Sequence, residues 1–372
     1  MKLAIISSSP FIKKNDDYFA YSPYVKELDI WAKYGDEVAL ACPFWDNENG
    51  LLVSKIPFPI AVIYNLKGFN IKSFKNLVKA IQYSFINFYL IYKSMVWADH
   101  IHLRCPGNIG LMACVVQIFF PSKPKTAKYA GNWDPNAKQP RSYSIQKWIL
   151  SNTFLTKNMQ VLVYGEWENS TKNIKPFFTA SYSEKDKIEV KPRELEEKIF
   201  FLFVGTLTHG KQPLYAVQLV ETLKKNGHNV QLSIYGQGKE RVNLESYILE
   251  NKLESVVFLK GNADLETLKQ VYQVSHFIVL PSKSEGWPKV IAEGMFWGCL
   301  PIATKVSCVP NMLDNGQRGL LLTMNLKDDV AHLEKLCANQ TEYNSKANLA
   351  INWSRNYTVD FFESEIKKII QQ

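Results

Sequence analysis

Short apolar runs recur along the chain, each closed by glycine, proline or a polar cluster and followed by a longer segment with a helical apolar period. Residues 3–6 form the first run, with 7–10 as its exit loop. A polar and aromatic stretch, 11–21, leads into a helix through Val25, Leu28, Ile30 and Trp31, which Gly35 ends before a strand at 37–41. Further strands are predicted at 98–103, ending in Arg104, then at 126–130 and 160–164, with a helix at 109–120. The rhythm resumes at 199–204, where 205–211 is the exit loop and Pro213 opens a helix. Strands follow at 230–235 and 256–259, a helix at 265–274, a strand at 277–280 and a final amphipathic helix at 357–370. Alternating strands and helices imply parallel sheets and an α/β class.

Two stretches stand outside this rhythm. Residues 71–97 are aromatic and dotted with lysines, and read as one helix or two. Apolar residues on all sides near 85–91 favour a helix packed on the sheet; lysines beside aromatics favour one facing lipid. Residues 184–198 are dense in charge and read as an interdomain linker. The predicted domains are therefore 1–183, the linker 184–198, 199–355, and a terminal helix segment 356–372 that returns to the first domain.

Candidate chemistry concentrates at 277–322. Glu285 falls in the loop beyond the carboxyl end of the strand 277–280, where open α/β sheets bind ligands. Glu293 interrupts the apolar residues Ile291, Ala292, Met295 and Phe296 of the next helix, and an acid there needs partners such as paired sugar hydroxyls. Lys211 sits where a diphosphate could meet both its ammonium and a helix N-terminus. In the first half, Arg104, Trp133 and Asp134 stand at strand ends and are candidates for the acceptor side; His102 reads as a core histidine.

The run E-G-W-P-x4-E, followed by a small-residue strand and P-x5-G-x2-G-L, resembles the E-x7-E signature of retaining GT-B glycosyltransferases of the family-4 type. The resemblance covers 199–322 and implies two Rossmann-like domains facing a central cleft. It implies that Glu285 faces a donor sugar, that Glu293 binds the nucleotide ribose, and that Gly286, Trp287, Gly205, Thr206 and Lys260 line the donor site. Lys211 matches the Lys of the family's G-R-L-x3-K-G pattern, but Thr206 stands at its Arg position, so half of the cationic clamp must come from elsewhere, with Arg104 and Lys289 as candidates. Lys13 to Tyr21 replace the glycines of the family's first loop.

Composition narrows the function only slightly. The net charge of +9 suits acidic partners, among them nucleotide diphosphates and anionic lipid surfaces. No RNA-binding aromatic motif or helix-turn-helix pattern supports nucleic acid. The six cysteines form no CxxC pair, and no zinc-ligand spacing is present. There is no D-x-D, in keeping with a site that holds no metal. No run reaches the roughly 20 apolar residues of a spanning helix, and the first residues pattern as a strand, so the expected location is cytoplasmic, at the inner face of the membrane if the lipid reading holds. The expected activity is transfer of a hexose from a nucleotide-diphosphate sugar, with no further cofactor, to a glycan or lipid-linked glycan in surface polysaccharide assembly. Alternatives are a nucleotide-sugar 2-epimerase of the same fold and a non-catalytic nucleotide-sugar-binding protein.

Overall fold

A computed structural model describes residues 1–48, 52–68 and 74–371. The chain divides into two units, Met1–Phe177 with Glu363–Gln372, and Phe178–Phe362.

The first unit contains strands β1 (Lys2–Ser7), β2 (Phe11–Lys14), β3 (Asp17–Tyr21), β4 (Glu37–Trp45), β5 (Val53–Lys55), β6 (Val62–Leu66), β7 (His100–Cys105), β8 (Lys125–Tyr129), β9 (Met159–Tyr164) and β10 (Ile174–Phe177). Its parallel core runs β6-β4-β1-β7-β8-β9-β10. The first strand is central, the next two lie on one side and the rest on the other, the Rossmann arrangement. Residues 11–21 are not an open loop. They form an antiparallel β2–β3 hairpin that turns at Asn15 (φ 53°), carries β5 on one side and joins β4 through β2. Burial of Phe11, Ile12 and Ala20 holds it there. Two apolar residues followed by two lysines are too short a run to show a strand period, which is why the hairpin is not legible beforehand.

Residues Phe74–Trp97 form one helix; Ile71 and Lys72 of the predicted segment lie outside the described residues. The helix packs on the sheet, with Ile91 and Met95 in the core, but the packing covers one face only. Asn87, Ile91, Ser94 and Met95 are buried, whereas Ile81, Phe85, Tyr89, Tyr92 and Val96 are exposed. The two sets follow separate stripes at helical spacing, and only one stripe can face the sheet.

Beneath the helix Ser22–Ala32 lies a buried polar layer. Glu27, 7% exposed, meets Arg104 of β7 at 2.6 Å and Lys128 of β8 at 3.0 Å, and the Arg104 guanidinium lies over the Tyr24 ring. Two positions apart on β7, and so on one face of it, His100 and His102 both meet the Thr126 hydroxyl, and His102 packs on Trp31. Burial pushes His100 down to about 4 and holds His102 well below its usual value. Unfolded histidines titrate near ~6.5, so below that pH the unfolded chain binds protons that the folded chain refuses. Stability is complete above the unfolded value and falls as pH drops toward the folded ones. Denaturant melts should lose about 2 kcal/mol through His100 between pH 7 and pH 5, and His102 should act in the same direction. Carboxylates held low by their partners, such as Asp186 and Glu221, act only below that window. An unchanged midpoint at pH 5 would mean that the imidazoles are already charged in the fold.

The second unit contains β11 (Ile199–Val204), β12 (Val230–Tyr235), β13 (Val257–Gly261), β14 (Phe277–Leu280), β15 (Leu300–Thr304) and β16 (Leu320–Leu322). All pair in parallel in the order β13-β12-β11-β14-β15-β16, again with the first strand central. Buried residues of β11, β12, β14 and β15 form one core with the helix Pro213–Lys225. The lone Gly236-Gln237-Gly238 has a packing cause. A Cβ on Gly236 would stand 1.9 Å from the Gly205 carbonyl oxygen, and one on Gly238 2.2 Å from that of Leu207. The exits of β11 and β12 touch backbone to backbone, and side chains there are excluded.

Residues 184–198 are mostly exposed, as their charge leads one to expect, but they do not separate two units. They belong to the second unit, and the chain divides before them, at Phe177/Phe178. Arg193 donates to the carbonyls of Tyr272, Gln273, Trp297 and Gly298, and Leu195 is part of the core. A charged sequence cannot reveal that its guanidinium closes the ends of two helices. At the other end, the helix Val359–Gln371 begins in the second unit, where Thr358 and Asp360 bond Glu184. Its residues from Glu363 onward count with the first unit, and Glu363 pairs with Lys33 at 2.9 Å.

Candidate active site

In the second unit the strand order reverses between β11 and β14, the place where open α/β sheets leave a crevice beyond the carboxyl ends. The exit loops of these two strands are 205–211 and 281–287, and they carry Lys211 and Glu285. The Lys211 ammonium stands 2.5 Å from Glu285 Oε1, with side chains 29% and 8% exposed. The loops are also joined by main chain, because the Lys283 amide donates to the Gly210 carbonyl at 2.8 Å. Gly205 and Thr206 begin the first loop, and Thr206 is exposed. Lys283, which sequence reasoning missed, extends its ammonium to His209 Nε2 at 2.5 Å. An exposed lysine in a polar loop has no periodic signal; only the pairing of β11 with β14 brings it to the first loop.

Pro288 caps the helix Lys289–Phe296, and Gly298 (φ 83°) follows its end. Gly294 is needed because a Cβ there would meet Ile278 of β14 at 2.8 Å. This packing turns Glu293 toward Tyr272 and Ser181, whose hydroxyls donate to its two oxygens. Lys289 lines a narrow recess with Glu293. The Gly286 carbonyl accepts from the Ser307 hydroxyl and the Cys308 thiol, which fixes the peptide after Glu285. Trp287 packs on Trp353 and Tyr357. Lys260, at the end of β13, lies over Phe258 and lines a shallow depression with Glu245 and Leu249. Tyr272, like the recess around it, was not singled out in the sequence, since a tyrosine at an apolar helix position reads as core.

The first-unit candidates have their own partners. Arg104 belongs to the buried Glu27 pair described above. Trp133 is buried, edge-on to Tyr129, with Lys147 over its ring. Asp134 accepts from the Asn136 amide and closes a turn. No group of acidic, histidine or cysteine side chains among the described residues could hold a metal ion.

Comparison with known proteins shows what the stretch carrying this site resembles. Residues 184–353 match the family model described as Glycosyl transferases group 1. An uncharacterised glycosyltransferase of Methanocaldococcus jannaschii is 30% identical over 132 residues, 35% of this chain and 36% of its own length. The GalNAc-alpha-(1->4)-GalNAc-alpha-(1->3)-diNAcBac-PP-undecaprenol alpha-1,4-N-acetyl-D-galactosaminyltransferase of Campylobacter jejuni is 27% identical over 175 residues, 46% of this chain and 47% of its own. The aligned stretches thus span less than half the length of either relative. The crystal structure of HepE from Anabaena in complex with UDP and glucose superposes over all of both chains with a TM-score of 0.71 at 14% identity, a likeness of fold. The matched stretch, 184–353, contains Lys211, Glu285 and Glu293, and in it the chain is similar to group 1 glycosyl transferases.

Proposed function

We propose that the protein transfers a hexose, with retention of anomeric configuration, from a nucleotide-diphosphate sugar to a glycan or lipid-linked glycan acceptor. The observation that carries this reading is the Lys211–Glu285 pair, delivered by the two loops at the strand-order reversal of the second sheet. The Campylobacter relative, named for transfer to an undecaprenol-linked glycan, supports the acceptor class.

In this reading the bond between the sugar's anomeric carbon and the diphosphate oxygen breaks, and its electron pair leaves with the diphosphate. Lys211 and Lys283 meet the charge that develops there, together with main-chain amides near Gly286. Glu285 holds the Lys211 ammonium in place and orients the sugar through its hydroxyls. The acceptor oxygen bonds to the anomeric carbon on the face the diphosphate left, and its proton goes to the departing phosphate. No step is assigned to a metal. The first unit is the acceptor side, and assembly of surface polysaccharide is the setting that fits such an acceptor. Release of nucleoside diphosphate from a panel of nucleotide sugars, with and without a lipid-linked glycan, tests the reading. A sugar converted at C2 with no acceptor present would instead show an epimerase.

Glu293 accepts the ribose hydroxyls in this reading, alongside Ser181 and Tyr272; a carboxylate has lone pairs for both sets. Glu293→Ala should weaken nucleotide binding by ~1.5–3 kcal/mol. Calorimetry on the folded variant decides: unchanged nucleotide affinity with a lowered melting point would make Glu293 a brace for Tyr272 and Ser181 only.

A further inference from the structure

The exposed stripe of the helix Phe74–Trp97 is one end of a larger aromatic surface on the first unit. Phe85 is 76% exposed and Tyr89 59%. Further along the stripe, Tyr92 lies 5.2 Å from Phe120, whose neighbour Phe119 is 65% exposed. Gln117 of the same segment donates to the Leu155 carbonyl, which sets Phe154, 76% exposed, beside this region. Three of these aromatics carry a lysine: Lys93 over Tyr89, Lys123 over Phe120 and Lys157 over Phe154, each at 5.2–5.6 Å from the ring centre.

Charge is distributed to match. Between Asn49 and Gly165 the sequence has fourteen lysines and arginines and only two acids, Asp99 and Asp134, a net of +12 in a chain whose total is +9. The remainder of the chain is therefore net negative; Lys125 is buried and Arg104 and Lys128 are paired with Glu27, and the other eleven of these cations still far outnumber the two acids. Apolar patches of this kind mark interaction sites. Aromatic rings with lysines beside them suit the boundary between lipid headgroups and acyl chains, where the ring is buried and the ammonium reaches anionic phosphate. No helix among the described residues is long and apolar enough to cross a membrane.

We propose that this surface docks the first unit on an anionic lipid bilayer, with the stripe Ile81–Phe85–Tyr89–Tyr92–Val96 lying in the interface. A second copy of the chain is disfavoured as occupant, because a two-fold contact would oppose two faces of the same positive charge. The proposal is independent of the donor chemistry.

The test uses the full chain, sedimented with vesicles of phosphatidylcholine alone or mixed with phosphatidylglycerol, at low and high salt. Wild type should sediment with the mixed vesicles and be released as salt screens the attraction. Lys93→Glu/Lys157→Glu should lower partition by ~10-fold or more, since each basic residue near an anionic surface matters several-fold. Phe85→Ser/Tyr89→Ser should lower it comparably, and both variants should keep the wild-type melting curve because the replaced side chains are exposed. Equal recovery of wild type in the supernatant with and without phosphatidylglycerol would overturn the proposal. So would serine variants that bind as wild type, or a wild-type dimer that the serine variant dissolves and that does not bind vesicles.

Discussion

Lys211→Ala is expected to lower glycosyl transfer by about 10²–10³, the usual effect of removing one preorganised donor at a developing charge. Two structural facts push toward the upper part of that range. Thr206 is exposed and supplies no second cation, and the Glu285 carboxylate that holds Lys211 is only 8% exposed, so it would face the departing diphosphate without its counter-ion. Thr206→Arg in the Lys211→Ala background should recover part of the loss. Lys283→Ala should cause a smaller one, since its ammonium is more exposed and also held by His209. Affinity for a free nucleoside should be the same in all these variants, because it has no diphosphate to meet them. Steady-state rates alongside nucleoside and nucleoside-diphosphate affinities would read out each part. Near-normal turnover and diphosphate affinity in Lys211→Ala would leave the Lys211–Glu285 pair as a structural tie between two loops.

The largest effect on stability is expected from Glu27→Ala. One carboxylate stands between Arg104 and the fully buried Lys128, and removing it leaves two cations in the interior of the first unit. Breaking a buried pair in this way costs ~3–5 kcal/mol, a large share of the ~5–15 kcal/mol that holds a domain together. Lys128→Met in the same chain should return part of the loss by removing the cation with no access to water. Denaturant melts of the two variants test this. A loss below about 1 kcal/mol for Glu27→Ala, the range of exposed pairs, would show that water reaches the site.

These two predictions differ in how far the sequence alone leads to them. Lys211 and Glu285 are legible because each follows a wholly apolar strand, and an exit loop after such a strand is the natural place for ligand chemistry. The strand Ile199–Val204 and the helix Leu265–Val274 lie where the pattern puts them for the same reason: their periods are long and unmixed. Glu27 is not legible. It is one acid in an amphipathic helix, and its partners lie 77 and 101 positions further along on two different strands, so only the sheet order joins them. Lys283 is silent in the same way until β11 and β14 are known to be neighbours. The helix Phe74–Trp97 is legible only in part: it packs on the sheet as expected, but its exposed apolar face is not foreseen. Burial is inferred from apolar residues, and a face that is apolar yet exposed has the same pattern as one covered by protein.

The path of the chain between the units has a bearing on synthesis. The first unit is written in two pieces, Met1–Phe177 and Glu363–Gln372, with the whole of the second unit spelled out between them. A ribosome delivers the second piece after the second unit, so Lys33 waits through more than three hundred residues for Glu363. The second unit, continuous from Phe178 to Phe362, has its entire chain first. The unit begun earliest is thus the last to be completed, and a nascent chain stalled before residue 363 carries a finished second unit joined to a first unit that still lacks its closing segment.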